Sequence, residues 1–192
     1  MYNIEKVLEL LNIWSSKEFS NKESNICLFP ECADSSIASH YISEKRVLKK
    51  ISVDNHVYYY SHKMDFQKIG TKKVSVFSGF CNKHDSEIFD AIDNYDYIPG
   101  NKEQEFLFFY RAYCKSYKSK FVLVNSYRKL IGYIKENKLT EINSYFEKIT
   151  ISEKQRIKLL KYFEKELNDE KAILDDLSKI KDTIEFGLNP IR

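Results

Sequence analysis

The chain has 192 residues, of which 43% are hydrophobic and 31% are charged, which suits one compact unit or a small domain with a helical extension. Its net charge is only +3, so the total charge does not by itself indicate a polyanionic partner. No stretch reaches the roughly 18 apolar residues that a membrane span requires, and no basic-then-apolar segment follows Met1. We therefore expect a cytoplasmic protein with reduced cysteines and no membrane partner.

The first predicted element is an amphipathic helix over residues 3 to 15. Its apolar residues recur at helical spacing, namely Ile4, Val7, Leu8, Leu11 and Trp14. We expect this helix to pack on the module that follows it.

Three of the four cysteines lie in two short clusters, together with one histidine. Cys27 and Cys32 form the first pair, and Cys81 and His84 form the second. Zn²⁺ takes four nitrogen or sulfur ligands at tetrahedral angles, and two short loops that each cross a tight turn supply two ligands apiece. We predict that these four residues bind one structural Zn²⁺. The alternative is a set of buried thiols beside a surface histidine, and the remaining Cys114 is predicted to be a buried thiol.

The segment between the two pairs is predicted to contain short β-strands and one short helix. Residues 37 to 42 are β-prone, and Ser43 is a predicted N-cap for a basic helix over residues 44 to 51. Residues 57 to 60 and 74 to 77 are β-branched or aromatic and predict a hairpin or small sheet. Its tyrosines favour a half-buried strand over a platform for stacking bases.

A helix is predicted over residues 85 to 92, directly after the second pair. Ile88, Phe89 and Ile92 share one face of it. The sequence therefore predicts a metal-binding loop, β-strands, a second metal-binding loop and a helix that begins at the last ligand.

This order resembles the treble-clef zinc module of HNH-type (His-Me finger) endonucleases. Cys27 and Cys32 resemble the first ligand pair, the dipeptide Ser39-His40 resembles the strand end that carries the catalytic histidine, and residues 80 to 85 resemble the second pair with its follower. The similarity covers roughly residues 26 to 92. It implies a treble-clef fold and a setting in bacterial defence or a mobile element.

The resemblance also implies a catalytic site. A one-metal nuclease requires a general base and a Mg²⁺-class ion that stabilises the phosphate and the leaving oxygen. His40 is the candidate base, and Asp85 is the candidate ligand for Mg²⁺ or Mn²⁺. Position 39 is serine where these enzymes often carry an acidic ligand, so the metal shell needs another residue. The candidates are Asn55, His56 and Asp90.

Each catalytic assignment has a structural alternative. His40 is either a general base, a hydrogen-bonded structural histidine or a zinc ligand that exchanges with His84. Asp85 is either a metal ligand or a helix N-terminal residue stabilised by the helix dipole.

Residues 111 to 138 are strongly basic and interleaved with tyrosines, whereas residues 85 to 105 are acidic. Basic side chains neutralise phosphates and aromatic rings stack on unpaired bases, so we predict a DNA- or RNA-binding surface. Its predicted phosphate contacts are Lys115, Lys118, Arg128 and Lys129. The alternative is a pair of amphipathic helices with a solvated basic face, whose inward residues are Phe106, Phe109, Tyr113, Val122, Leu130, Ile131 and Ile134.

Pro99-Gly100 marks a predicted boundary between a zinc domain over residues 1–98 and a helical domain over 99–192. A capping pattern at residues 152 to 155 opens a long amphipathic helix that extends to about residue 186. This helix is predicted to pack antiparallel on the helices before it, or on a second copy or partner protein through a coiled-coil seam.

The predicted fold class is therefore α+β, with a zinc-stabilised treble-clef (HNH-like) module and a helical C-terminal half. The predicted function is nucleic-acid binding, and the catalytic pattern leaves open whether the module also cleaves the nucleic acid with the help of a metal ion. The alternative is a non-catalytic, zinc-stabilised module for protein interaction or assembly.

Overall fold

The computed structural model describes residues 25–60, 65–135 and 153–183. The predicted N-terminal helix over residues 3 to 15 lies outside these residues. The chain divides into two compact units, and their described parts are a cysteine unit (25–60, 65–116 and 175–183) and a helical unit (117–135 and 153–174). The predicted domain boundary between residues 98 and 99 stays a prediction.

The described elements include both short strands and helices, in agreement with the predicted α+β fold class. No described helix combines the length and the apolar character that crossing a membrane requires. In chain order the elements are β1 (Ala38–His40), α1 (Glu44–Leu48), α2 (Lys49–Ile51), β2 (His56–Tyr60), β3 (Phe66–Gly70), β4 (Val76–Ser78), α3 (Asn82–Ile88), α4 (Asp90–Asp93), α5 (Lys102–Lys135) and α6 (Glu153–Thr183).

Two antiparallel strand pairs form in the cysteine unit. β1 pairs with β4, so that Ser39 lies opposite Phe77 and His40 opposite Val76. β2 pairs with β3 as a separate hairpin. The sequence suggested that residues 57 to 60 would pair with residues 74 to 77, and this pairing is wrong. β3 is nearer to β2 along the chain, so closing that hairpin costs less loop entropy, and β4 is left to pair with β1.

The short helix after β1 begins at the predicted N-cap. The hydroxyl of Ser43 accepts a hydrogen bond from the backbone N–H of Arg46 at 3.4 Å. The N–H of Leu48 also bonds to the Ser43 carbonyl at 3.0 Å, which gives α1 a π-helical turn before α2 continues it. The predicted helix over residues 44 to 51 is therefore confirmed, with a wider first turn.

The core of the cysteine unit is a cluster of aromatic rings. Phe80, Phe89 and Tyr110 are fully buried, and the centroids of Phe80 and Phe89 lie 5.2 Å apart. The ring of Tyr110 lies 6.1 Å from that of Phe80 and 6.2 Å from that of Phe89. The buried face predicted after the second ligand pair is confirmed, since Ile88 and Ile92 are buried beside Phe89. The first part of α5 thus completes the core that surrounds the second ligand pair.

The helical unit pairs the second part of α5 with α6. The rings of Tyr127 and Phe163 are 5.9 Å apart, and Arg128 Nε donates to Glu164 Oε1 at 2.9 Å. Nearer the start of α5, Lys120 forms an ion pair with Glu170. Residues earlier in α5 contact residues later in α6. The two helices are therefore antiparallel, as predicted. α5 is one continuous helix rather than a pair, and no proline interrupts it.

Gly79 provides a test of the strand arrangement. A Cβ added at Gly79 would lie 2.2 Å from Cε2 of the buried Phe77 ring, whereas a Cβ at Gly132 in α5 meets nothing within 4 Å. We expect Gly79→Ala to lower the free energy of unfolding by about 1–3 kcal/mol through overpacking. Gly132→Ala should raise it by up to about 1 kcal/mol through helix propensity. Urea denaturation measures both, and equal effects of the two changes would contradict the packing of Phe77 on Gly79.

Candidate metal centre and the adjoining polar cluster

A tight loop presents the first ligand pair. The N–H of Cys27 donates to the carbonyl of Asp34 at 2.9 Å, and the N–H of Cys32 donates to the carbonyl of Phe29 at 3.2 Å. Glu31 has a φ of 61°, the left-handed conformation that lets the chain reverse just before Cys32. Both thiols therefore face the same side of the loop.

The start of α3 presents the second pair. Cys81 occupies the N-cap position, and His84 lies in the first turn, so residues three apart share one face. The N–H of Leu28 donates to the carbonyl of Gly79 at 2.8 Å, which ties the first loop to the residues that lead into Cys81. This backbone contact brings together two pairs that are far apart in the sequence.

The four predicted ligands converge on one point. Their ligand atoms, from Cys27, Cys32, Cys81 and His84, all lie within 4.8 Å of one another. His84 Nδ1 is 3.5 Å from Cys27 Sγ and 3.3 Å from Cys81 Sγ. A tetrahedral zinc ion with bonds of about 2.3 Å to sulfur and about 2.0 Å to nitrogen places its ligand atoms roughly 3.5 to 3.8 Å apart. The cluster is thus compatible with a structural Zn²⁺.

The surroundings of the thiols shift their pKa values in opposite directions. Burial raises the pKa of Cys27 to about 11. The pKa of Cys81 is lowered, and the main cause is a hydrogen bond from the backbone N–H of His84 to its sulfur. The ring of His84 stacks on Phe29, with centroids 3.9 Å apart and an interplanar angle of 17°, and this contact sets the ring orientation. Zinc would supply the positive charge that buried thiolates require.

Cys114 lies outside this cluster. Its side chain is completely buried on α5, and burial raises the pKa of its thiol. The prediction of a buried thiol is confirmed, so Cys114 offers a cysteine control for experiments on the metal centre.

His40 lies at the end of β1 and is half-buried. Its Nε2 is 3.0 Å from the backbone carbonyl of Thr71. A carbonyl oxygen only accepts hydrogen bonds, so Nε2 carries the proton, and Nδ1 of the neutral ring keeps its lone pair. The candidate metal cluster includes His84, whose Nδ1 faces the thiols, and does not include His40.

Asp85 lies in α3 immediately after the last ligand, beside a buried arginine. Arg111 is only 1% exposed, and its Nη2 is 3.8 Å from Asp85 Oδ1. The same guanidinium donates to both carboxylate oxygens of Asp93, at 2.9 and 2.5 Å, and lies 4.0 Å from the ring centroid of Phe89. Bidentate pairing and ring stacking together hold Arg111 in the core.

Two oxygens of this polar cluster (Ser39, Asp85, Asp93 and Arg111) lack hydrogen bonds. Asp85 Oδ1 and Ser39 Oγ are buried and have no hydrogen-bond partner among the described residues. Burial raises the pKa of Asp85, whereas the charge of Arg111 and the nearby Ser39 hydroxyl act in the opposite direction. Ser39, which is near Asp85, directly precedes His40 in β1. Unsatisfied buried oxygens are uncommon in folded proteins and call for an explanation.

The other residues considered for a metal shell lie on the surface. Asn55 and His56 are exposed at the start of β2, where His56 Nδ1 lies 2.6 Å from the Asp54 carbonyl. Asp90 is also exposed and accepts a hydrogen bond from Asn94 at 2.7 Å.

The four predicted phosphate contacts are distributed over both units. Lys115, in the cysteine unit, lies 5.5 Å from the ring centroid of Tyr41. In the helical unit, Lys118 is only 2% exposed, Arg128 is paired with Glu164, and Lys129 is exposed. A phosphate contact at Lys118 requires its side chain to move.

Sequence reasoning missed the role of Arg111. It is the first residue of the basic run over residues 111 to 138, and that run predicts an exposed base. The available signal was its position on α5, next to Tyr110 and between the buried Leu107 and Cys114. An arginine within such an apolar stripe requires an acidic partner, which Asp93 and Asp85 provide.

Comparison of the chain with models of protein families, with curated proteins and with solved structures gives no match. The assignment of the metal centre therefore rests on its own geometry.

Removal of one ligand tests the metal centre. Cys81→Ser should abolish stoichiometric zinc binding and cost several kcal/mol, comparable with the whole stability of a small domain. Cys114→Ala should keep one zinc per chain. Mass spectrometry of the native protein and thermal melting measure both properties. A Cys81→Ser variant that keeps its zinc and its melting temperature would contradict the assignment.

Replacement of the buried Arg111 tests its contribution to stability. Arg111→Met keeps much of the side-chain volume but leaves Asp85 and Asp93 without their cation. We expect the free energy of unfolding to fall by about 3–5 kcal/mol. Lys102→Met removes an ion pair with Glu105 in which the lysine is 83% exposed, and it should change the stability very little. Similar losses in the two variants would contradict the structural role of Arg111.

Proposed function

We propose that this chain is a zinc-stabilised nuclease module with a treble-clef fold of the HNH type. The order of elements supports this proposal, because a ligand loop precedes β1, β1 pairs with β4, and α3 begins at the third ligand. In this arrangement zinc holds the loop, the strand pair and the helix together. HNH-like modules of this kind suit bacterial defence or mobile elements, and the predicted location is cytoplasmic.

The observation that carries the proposal is the hydrogen bond from His40 Nε2 to the Thr71 carbonyl at 3.0 Å. It leaves Nδ1 as the nitrogen that accepts a proton, and it holds the ring in position. His40 directly follows Ser39, whose hydroxyl is near the Asp85 carboxyl, so a candidate base and a candidate metal ligand belong to the same part of the cysteine unit.

The proposed reaction is hydrolysis of a phosphodiester. His40 Nδ1 accepts a proton from water as the water oxygen bonds to phosphorus. The bond between phosphorus and the leaving oxygen breaks, and that oxygen takes a proton from solvent. Asp85, together with Ser39, is the residue set that would hold Mg²⁺ or Mn²⁺, since each has a buried oxygen without a hydrogen-bond partner in the described part of the chain. Such an ion, when bound, stabilises charge on the phosphate and the leaving oxygen.

The basic face of α5 is the proposed contact for the rest of the DNA or RNA. Lys115, Arg128 and Lys129 are its proposed phosphate contacts, and Lys118 would join them only after its side chain moves. Such contacts make binding weaker as salt concentration rises.

A non-catalytic assembly module is the second candidate, and the polar cluster favours it. Arg111 already lies 3.8 Å from Asp85 Oδ1 and competes with a divalent ion for that carboxylate. In this case zinc stabilises a small core, and the segment over residues 152 to 186 joins two copies or a partner protein.

Replacement of His40 separates the two candidates. His40→Gln keeps an N–H that can donate to the Thr71 carbonyl but removes the base. We expect Mg²⁺- or Mn²⁺-dependent cleavage of DNA or RNA to fall by at least about 100-fold. The control Ser86→Ala changes an exposed residue of α3 and should keep the wild-type rate.

Zinc content and melting temperature must stay unchanged in both variants for the rates to be compared. Equal cleavage by His40→Gln and wild type rejects His40 as the base. A wild-type protein that shows no divalent-dependent cleavage, but forms dimers that substitutions in α6 disrupt, supports the assembly module instead.

A further inference from the structure

The hairpin of β2 and β3 carries an unusual exposed face. In its register Tyr58 lies opposite Lys68, and Tyr60 lies opposite Phe66. Side chains of alternate residues point to the same side of a strand, so these four side chains and His56 share one face. Tyr58 is 74% exposed, Phe66 is 73% exposed and Tyr60 is 52% exposed. Three large aromatic rings on one solvated face exceed what a small soluble sheet needs for its own packing.

A basic cleft adjoins the end of the hairpin at which His56 lies opposite Gly70. It has a volume of about 510 Å³ and is lined by Glu44, Lys49, Asn55, His56, Gly70, Thr71, Lys72 and Lys73. Three lysines therefore face one glutamate. Glu44 also accepts a hydrogen bond from the Thr71 hydroxyl at 3.1 Å, whereas none of the three lysines has an ion pair among the described residues. The cleft thus offers uncompensated positive charge.

The backbone fixes the cleft in place next to the aromatic face. Asp54 and Asn55 both have positive φ values, 52° and 57°, and form the tight turn that opens β2. The carbonyl of Asn55 accepts a hydrogen bond from the N–H of Thr71 at 2.9 Å. His56 belongs both to the cleft and to the aromatic face, so the two features are continuous.

We infer that the hairpin face and the cleft together bind single-stranded nucleic acid. Exposed rings stack on unpaired bases, and lysines beside them neutralise the phosphates. Tyr58, Tyr60 and Phe66 contact bases, and Lys49, Lys72 and Lys73 contact phosphates. A duplex hides the faces of its bases, so the aromatic face favours a single strand over a double strand. Uncompensated lysines favour a polyanion over an apolar protein partner.

This inference deepens the proposed function because Thr71 belongs to the cleft and accepts the hydrogen bond from His40. A strand in the cleft would lie beside the candidate base. Binding itself needs no cleavage, however, so it is measured without divalent ions, and the two proposals can fail separately.

The experiment measures fluorescence anisotropy of a labelled oligonucleotide of about 10 nucleotides, as single-stranded DNA, single-stranded RNA and duplex DNA, over a series of salt concentrations. We expect the single strands to bind more tightly than the duplex. Tyr58→Ala and Phe66→Ala should each weaken binding about 5- to 150-fold. The double variant Lys72→Gln/Lys73→Gln should lower the slope of log affinity against log salt by about 1.4.

Matched controls lie outside the hairpin. Tyr95→Ala removes an aromatic ring that is 62% exposed, and Lys161→Gln/Lys165→Gln removes two exposed lysines of α6. Both should bind like the wild type. Circular dichroism and zinc content check that every variant is folded.

Three results would overturn the inference. They are no binding at low salt, binding of duplex at least as tight as that of single strands, and hairpin variants that bind like the wild type. Loss of binding in Arg128→Gln/Lys129→Gln alone would place the nucleic acid on α5 instead. If the hairpin variants cleave nucleic acid like the wild type, the proposed nuclease activity stands and this binding surface is rejected. If binding depends on the hairpin but no cleavage occurs, the binding surface stands and the nuclease activity is rejected.

Discussion

The convergence of three thiols and one imidazole is the constraint on which the rest of the cysteine unit depends. The unit has short strands of three to five residues, and the two strand pairs are too small to be stable alone. A structural zinc ion contributes on the order of 10–16 kcal/mol in zinc-finger peptides, which exceeds the stability of many small domains. A zinc ion bound by the four ligands would therefore hold the first loop against α3 and so position β1, which ends at His40.

The ion pairs of the buried Arg111 with Asp85 and Asp93 are the second constraint. They affect both the stability of the cysteine unit and the ability of Asp85 to bind a metal ion. Arg111 joins α5 to the start of α3 through Asp85 and to α4 through Asp93. The same contact limits how freely Asp85 can bind a divalent ion. A nuclease needs Asp85 to exchange part of its interaction with Arg111 for the ion, whereas an assembly module needs no such exchange. The strength of this ion pair therefore decides between the two candidate functions.

Sequence reasoning succeeded where the signal was local. The metal ligands lie in short pairs, the N-cap at Ser43 precedes its own helix, and α6 shows its periodicity over many residues. It failed where the partner was distant, because nothing near residues 74 to 77 indicates that β4 pairs with β1. Charge counting likewise could not separate the buried Arg111 and Lys118 from exposed bases of the same run. The lysines of the cleft come from two separate segments, at residue 49 and at residues 72 to 73, so only the fold shows them together.

Zinc-edge X-ray absorption of the purified protein shows directly whether the four residues bind zinc. We expect one zinc per chain with three sulfur ligands at about 2.3 Å and one nitrogen ligand at about 2.0 Å. In His84→Cys the nitrogen should be replaced by a fourth sulfur while the zinc remains bound. A first shell of oxygen and nitrogen alone, or a folded protein that contains no zinc, would show that this cluster is not a zinc site.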